Sequence, residues 1–66
     1  MIAGAEAEQI LVGREDAARL LSLSVPEIDN LRRAGHLIAR KHGRKVLFPL
    51  DELRRWAASL PADEIR

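Results

Sequence analysis

Six basic side chains stand close together in the middle of the chain with no acidic residue among them. They are Arg32, Arg33, Arg40, Lys41, Arg44 and Lys45. The rest of the 66-residue chain carries five basic and ten acidic residues, so the net charge of +1 conceals a strong segregation of charge. A concentrated basic segment favours a polyanionic partner. The simpler alternative is a solvated face that happens to be basic.

Four of these cations surround a glycine in residues 40–45. A turn at Gly43 brings the backbone close to a ligand while the long side chains spread outwards, which suits contacts with phosphates. We call the hairpin centred on Gly43 the wing. Charges placed on an exposed hairpin for solubility or edge protection are the alternative interpretation. The predicted wing and backbone contacts to DNA are Arg32, Arg40, Lys41, His42, Gly43, Arg44 and Lys45.

A second set of polar side chains falls on one arc of a helix predicted near residues 24–34. At about 100° per residue, Ile28 and Leu31 lie side by side and the polar residues occupy the opposite arc. Asparagine can bond an adenine edge and arginine a guanine edge in the major groove, which suits Asn30 and Arg33 to reading bases. An exposed polar face without function is the ordinary alternative. The predicted residues of this recognition helix that contact DNA are Pro26, Glu27, Asp29, Asn30 and Arg33.

Catalysis and metal binding find no support in the remaining residues. The chain has no cysteine and two histidines, His36 and His42, with no clustered carboxylate beside them, so neither a metal site nor a cofactor is predicted. The serines lack a cue for a base-activated nucleophile. A chain of this length builds one small unit without a deep cleft. We therefore predict that the protein is not an enzyme.

The elements that must position these residues have local signals. Residues 14–21 are mainly good helix formers with acids in the first turn, and Ala17 and Ala18 let a second helix approach closely. After a break at Ser22, the run from Ser24 to Glu27 matches a capping box. Gly35 is suited to the left-handed residue that ends the second helix.

The elements predicted after Gly35 are a hairpin and a third helix. Residues 37–40 and 45–48 are β-prone and are separated by a four-residue polar link, 41–44, which predicts the wing. Pro49 ends the second strand and opens a third helix, whose apolar residues recur at helical spacing. These residues are Leu53, Trp56, Ala57 and Leu60, and Trp56 is predicted to be a core anchor rather than a base-stacking platform.

These elements predict one α+β domain, a small winged helix-turn-helix with three helices and a two-stranded wing between the second and third helices. We expect a flexible arm at 1–9, the domain at 10–60 and a flexible tail at 61–66. The predicted core consists of Ala17, Ala18, Leu21, Val25, Ile28, Leu31, Leu37, Val46, Phe48, Leu53, Trp56 and Leu60.

The cellular location of the protein is predicted from the lengths of its uninterrupted apolar segments, the longest of which is three residues. A membrane span needs about 20 apolar residues, so no membrane partner is expected. The first residues lack the basic and apolar regions of a secretory signal. We expect a cytoplasmic, nucleoid-associated protein.

Over residues 11–60 the chain resembles the excisionase-type helix-turn-helix proteins, which are small relatives of the MerR DNA-binding domain. The segments that carry the resemblance are residues 15–21, Ser24 and Val25, residues 33–37 and residues 48–56. The resemblance implies a winged helix with the recognition helix in the major groove and the wing on a flanking minor groove or its backbone. It also implies double-stranded DNA as the partner, with integrase and adjacent copies of the same chain as further candidates.

Family members of this type often direct recombination towards excision by binding and bending attachment-site DNA. Other members are small transcriptional regulators, and the sequence leaves this MerR-like role open as the alternative within DNA binding. A protein-interaction module, an inhibitor or adaptor that retains the fold, is the alternative from another class.

Two departures from the family pattern concern the recognition helix. Ser22 stands where the family commonly has glycine, so serine is expected to take a left-handed backbone. Glu27 and Asp29 stand where hydroxyl or basic residues are usual. Acids close to phosphates weaken binding, and we therefore expect the wing to supply more of the affinity than the recognition helix does.

Overall fold

The computed structural model describes residues 9–64. The predicted arm therefore lies outside the described residues except for Gln9, as do the last two residues of the predicted tail. Within the described range the elements are β1 (Leu11–Val12), α1 (Arg14–Leu21), α2 (Val25–Arg33), β2 (Arg40–His42), β3 (Lys45–Pro49) and α3 (Leu50–Ala58). This is a small α+β winged helix-turn-helix, which confirms the predicted fold.

The helices begin and end where local chemistry favours it. Acidic residues occupy the first turns of α1 and α3, where they complement the positive end of the helix dipole. Pro49 is the N-cap of α3, in agreement with the prediction that it opens the third helix. Ala17 and Ala18 are buried on the inner face of α1, where their small side chains let α2 pack closely.

The sheet has one strand more than the sequence predicted. Its order is β1-β3-β2, with both pairings antiparallel. In the additional pairing, Leu11 lies opposite Pro49 and Val12 opposite Phe48. A two-residue strand is too short to show the alternation that marks strands in a sequence, and its partner lies far along the chain. In the sequence, residues 10–12 show only a short apolar segment before α1.

The first strand of the wing lies later than predicted. It spans Arg40–His42 rather than 37–40, and the register pairs His42 with Lys45. The link is therefore two residues, Gly43 and Arg44, instead of four. The φ of Gly43 is 62°, and glycine at the first position of a two-residue loop is typical of a type II′ turn. The residues before the strand are not free to pair, because Ile38 N–H donates to a side chain of α3.

The core lies between the helices and the inner face of β3. Its buried side chains are Val12, Ala17, Ala18, Ile28, Leu37, Phe48 and Leu53. The predicted residues Leu21, Val25, Leu31, Val46 and Trp56 pack against this core and are partly buried. The prediction for Leu60 is wrong: α3 ends at Ala58, and Leu60 is 51% exposed. Sequence reasoning missed Val12, Leu23, Ala39 and Leu50.

Candidate nucleic-acid interface

The N-terminus of α2 carries a complete capping box. Ser24 N–H donates to Glu27 Oε1 at 2.8 Å, and Glu27 N–H donates to Ser24 Oγ at 3.2 Å. The backbone N–H of Ser24, followed by its hydroxyl, lowers the pKa of the Glu27 carboxyl below its ordinary value. The predicted cap is confirmed, and the negative charge of Glu27 is already committed to the start of the helix.

Left-handed residues stand at both ends of the recognition unit. Ser22 has φ 60° and closes α1, with Leu23 N–H donating to Ala18 O at 2.8 Å. Gly35 has φ 83° and follows the last turn of α2. Both positions were expected from the sequence. The turn at Ser22 directs the chain from α1 into α2, and it places Leu23 against the core.

The outer face of α2 has two exposed polar side chains one helical turn apart. Arg33 Nη1 lies 3.5 Å from Asn30 Oδ1, which is at the long limit for a hydrogen bond. Pro26 and Glu27 are also exposed. Arg32 is different, because it is half-buried and its Nε is buried without a hydrogen-bond partner within the described residues.

Asp29 lies on this side of α2 but is not free. Arg14 Nε donates to Asp29 Oδ1 at 2.9 Å, and Arg14 Nη2 donates to Asp29 Oδ2 at 2.8 Å. The Asp29 side chain is 15% exposed and that of Arg14 is 40% exposed. These hydrogen bonds lower the pKa of the Asp29 carboxyl and raise that of the Arg14 guanidinium. The pair joins the beginning of α1 to the middle of α2.

The wing is exposed along its whole basic segment, residues 40–45. Because side chains alternate across a strand and cross-strand partners share a face, Arg40, His42 and Lys45 lie on one face. Lys41 lies on the other face, opposite Val46. Arg44 stands in the two-residue turn at the tip. The structure therefore spreads the four cations around the hairpin instead of lining them up on one side.

The chain matches a family profile described as a helix-turn-helix domain over residues 11–61. It belongs to the helix-turn-helix domain family. Together with the fold, this match identifies a DNA-binding helix-turn-helix protein. No curated protein matches the chain closely enough to be compared with it.

The helix-turn-helix protein also contains a clamp between α3 and the segment that joins α2 to the wing. Glu52 Oε2 accepts from Ile38 N–H at 2.9 Å, and Arg55 Nη2 donates to His36 O at 2.9 Å. Arg55 and Glu52 form a bidentate pair with distances of 2.9 and 2.6 Å. The paired Arg55, the Ile38 N–H and the charge of Arg40 lower the pKa of Glu52 to about 2. The clamp fixes where the wing begins relative to α2.

Sequence reasoning about this helix-turn-helix domain missed the three residues that position its elements. Arg14, Glu52 and Arg55 have polar side chains without special neighbours in the sequence, and their partners lie 14 to 19 residues away. The spacing of Glu52 and Arg55 does indicate an ordinary i, i+3 pair on a helix. Nothing in the sequence indicates that this pair grips the backbone before the wing.

No helix within residues 9–64 is long and apolar enough to cross a membrane.

Proposed function

We propose that this protein binds double-stranded DNA sequence-specifically, with α2 in the major groove and the wing on the flanking phosphates. The observation that carries the proposal is the wing, where six consecutive residues, 40–45, are exposed and include four cations and no acid. Phosphate contacts supply most of the affinity in such complexes, while base edges supply specificity. Asn30 and Arg33 are the side chains of α2 best suited to the base edges.

The two acids of α2 are less of an obstacle than their charge suggests. The Glu27 carboxylate accepts hydrogen bonds from the backbone N–H and the hydroxyl of Ser24, and Asp29 is paired with Arg14. A carboxylate held by an arginine contributes little net repulsion at the distance of a phosphate. This supports a role in DNA binding for α2 as well as for the wing.

We further propose the more specific role of an excisionase-type architectural factor. A single recognition helix and one wing give a small footprint, so useful occupancy needs adjacent copies of the chain or a DNA-bound integrase. Bending 20 to 30 base pairs costs on the order of 1 to 6 kcal/mol, which cooperative contacts can offset. In this role the protein has no catalytic activity and no cofactor, and it works in the cytoplasm at the nucleoid.

Binding to labelled duplex DNA across a series of salt concentrations tests the first proposal. If roughly five phosphates are neutralised, the logarithm of the association constant falls with the logarithm of salt concentration with a slope of about −4.5. Absence of binding at low salt, or binding indifferent to salt, would overturn the proposal and favour a protein-interaction module.

Two alanine variants separate the roles of the wing and α2. Arg44→Ala should weaken binding to all duplexes about equally, whereas Arg33→Ala should narrow the gap between a selected target and random DNA. The opposite pattern would mean that the two elements have exchanged roles.

The architectural role requires a test of its own. Attachment-site DNA from the neighbourhood of the gene should migrate as a bent complex in a circular-permutation assay. The protein should also shift the recombination catalysed by an adjacent integrase towards excision. Binding that changes transcription without bending or altered recombination would favour the small MerR-like regulator.

A further inference from the structure

Arg14 is paired with a carboxylate of another helix, whereas Arg19, Arg54 and Arg55 pair with carboxylates three residues away. Arg14 Nε and Nη2 donate to the two carboxylate oxygens of Asp29 at 2.9 and 2.8 Å. The two residues are 15 positions apart and lie on different helices. The pair therefore brings a cation from α1 onto the flank of α2, in addition to the basic residues that the sequence places on α2 and the wing.

The geometry leaves one edge of the guanidinium available. A guanidinium has five N–H donors, and the bidentate pair with Asp29 uses the edge formed by Nε and Nη2. The Nη1 donors and the second N–H of Nη2 point away from the carboxylate. Arg14 remains 40% exposed while Asp29 is only 15% exposed. The acid is thus largely covered, while the arginine side chain keeps a substantial exposed surface.

We propose that this free edge of Arg14 binds a DNA phosphate and that Asp29 is a positioning residue that holds it ready. The proposal rests on the proposed placement of α2 in the major groove. Asp29 lies one helical turn before Arg33, on the same element that carries the base-reading side chains. The sugar-phosphate backbone borders the groove on both sides of such a helix, and the guanidinium fork matches two phosphate oxygens.

The pair also lowers the cost of ordering the side chain. A free arginine loses rotamer freedom when it binds a phosphate, and this loss reduces affinity. In this domain Asp29 has already fixed Arg14 before DNA arrives. Asp29 therefore acts in favour of DNA binding although it is an acid.

If Asp29 positions Arg14, removing the negative charge of Asp29 should change DNA affinity in the direction opposite to that expected from simple charge repulsion. If Asp29 only repelled phosphates, Asp29→Asn would tighten DNA binding. If Asp29 holds Arg14 in place, Asp29→Asn weakens binding, and it does so only while Arg14 is present. A double-mutant cycle measures this dependence directly.

The experiment uses the full chain and a labelled duplex selected from a random pool by the native protein. Fluorescence anisotropy gives Kd over a range of salt for the native chain, Arg14→Gln, Asp29→Asn and the double variant. We expect Arg14→Gln to weaken binding about tenfold at low salt and to reduce the salt slope by about 0.9. Asp29→Asn should weaken binding about threefold in the native background and not at all in the Arg14→Gln background.

Two control variants separate the charge of Arg14 from the geometry of its guanidinium. Arg19→Gln removes the same charge from the exposed side of α1, where Arg19 pairs with Asp16 at 3.4 Å, and it should leave the salt slope unchanged. Arg14→Lys keeps the charge but not the fork, so it should keep the slope and lose part of the affinity. Thermal unfolding followed by circular dichroism shows whether each variant is folded at the temperature of the assay.

Two results would overturn the inference: tighter binding by Asp29→Asn, or an unchanged salt slope for Arg14→Gln. If either occurs while Arg44→Ala still weakens binding, the proposed function stands and only the role of Arg14 is lost. If the native chain itself does not bind DNA at low salt, the proposed function fails first.

Discussion

Two residues that follow helices, Ser22 and Gly35, matter for their backbone conformation rather than for side-chain contacts. Ser22 has φ 60°, in a region where L-residues other than glycine are strained. Gly35 has φ 83°, and a Cβ built on it would meet nothing within 4 Å. The two positions are thus a matched pair, since one holds a strained serine and the other a glycine with open space around it.

Substitutions at Ser22 and at Gly35 should change the free energy of unfolding in opposite directions. Ser22→Gly should raise the free energy of unfolding by about 0.5 to 1 kcal/mol, because it removes the left-handed strain. Gly35→Ala should lower it by about 1 kcal/mol for the same reason. Urea unfolding followed by circular dichroism measures both values, and a destabilised Ser22→Gly variant would contradict the account of the turn.

At the scale of elements, the position of the wing depends on α3. The chain between α2 and β2 has no regular structure over residues 36–39, and the clamp of Glu52 and Arg55 holds it through His36 O and Ile38 N–H. Glu52 is 14% exposed in this contact. The clamp explains why the first wing strand begins only at Arg40.

The clamp should give the stability of the domain a defined pH dependence. The pKa of Glu52 falls from an ordinary value of 4.5 to about 2 in the folded protein. Its carboxylate therefore stabilises the fold fully above pH 4.5, and this contribution is lost as the pH falls from 4.5 towards 2. Glu52→Gln should cost on the order of 1 kcal/mol at pH 7, and the difference from the native chain should shrink by pH 3.

Urea unfolding at pH 7 and at pH 3 measures this effect. Asp51→Asn is the control, because it removes the same charge from the same turn of α3 at a side chain that is 98% exposed. It should change the free energy of unfolding less than Glu52→Gln does at pH 7. An equal effect of the two variants, or a difference for Glu52→Gln that persists at pH 3, would contradict the clamp.

At the scale of the whole molecule, a few buried side chains hold three helices and three strands together. Phe48 lies on β3, between the other two strands, and is fully buried. A domain of this size has a stability of about 3 to 10 kcal/mol. A single large cavity can therefore remove most of the stability that the domain has.

Phe48→Ala should lower the free energy of unfolding by about 3 to 5 kcal/mol, leaving a large unfolded fraction at 25 °C. Leu60→Ala is the control from outside the core and should change it by less than about 0.5 kcal/mol. Phe48→Leu should fall between the two. Circular dichroism against temperature distinguishes the three variants, and a large loss for Leu60→Ala would contradict its placement at the surface.

The sequence by itself determined the features that depend on near neighbours. The capping box at Ser24, the left-handed Gly35 and the three helices follow from residues within one or two turns of each other, whereas the left-handed Ser22 was expected from the family resemblance. The basic segment 40–45 is also visible in the sequence, because its charge needs no folding to be counted. These local signals were enough to predict the winged helix-turn-helix fold and most of its core.

Only the tertiary structure decided which polar groups are already engaged. Strand β1, the Arg14 and Asp29 pair, and the clamp on the segment before the wing join residues 14 to 38 positions apart. Such contacts leave no periodic signal, since each depends on how separate elements pack. The six cations that first marked the chain are therefore joined by a seventh, Arg14, which the fold brings to the recognition helix.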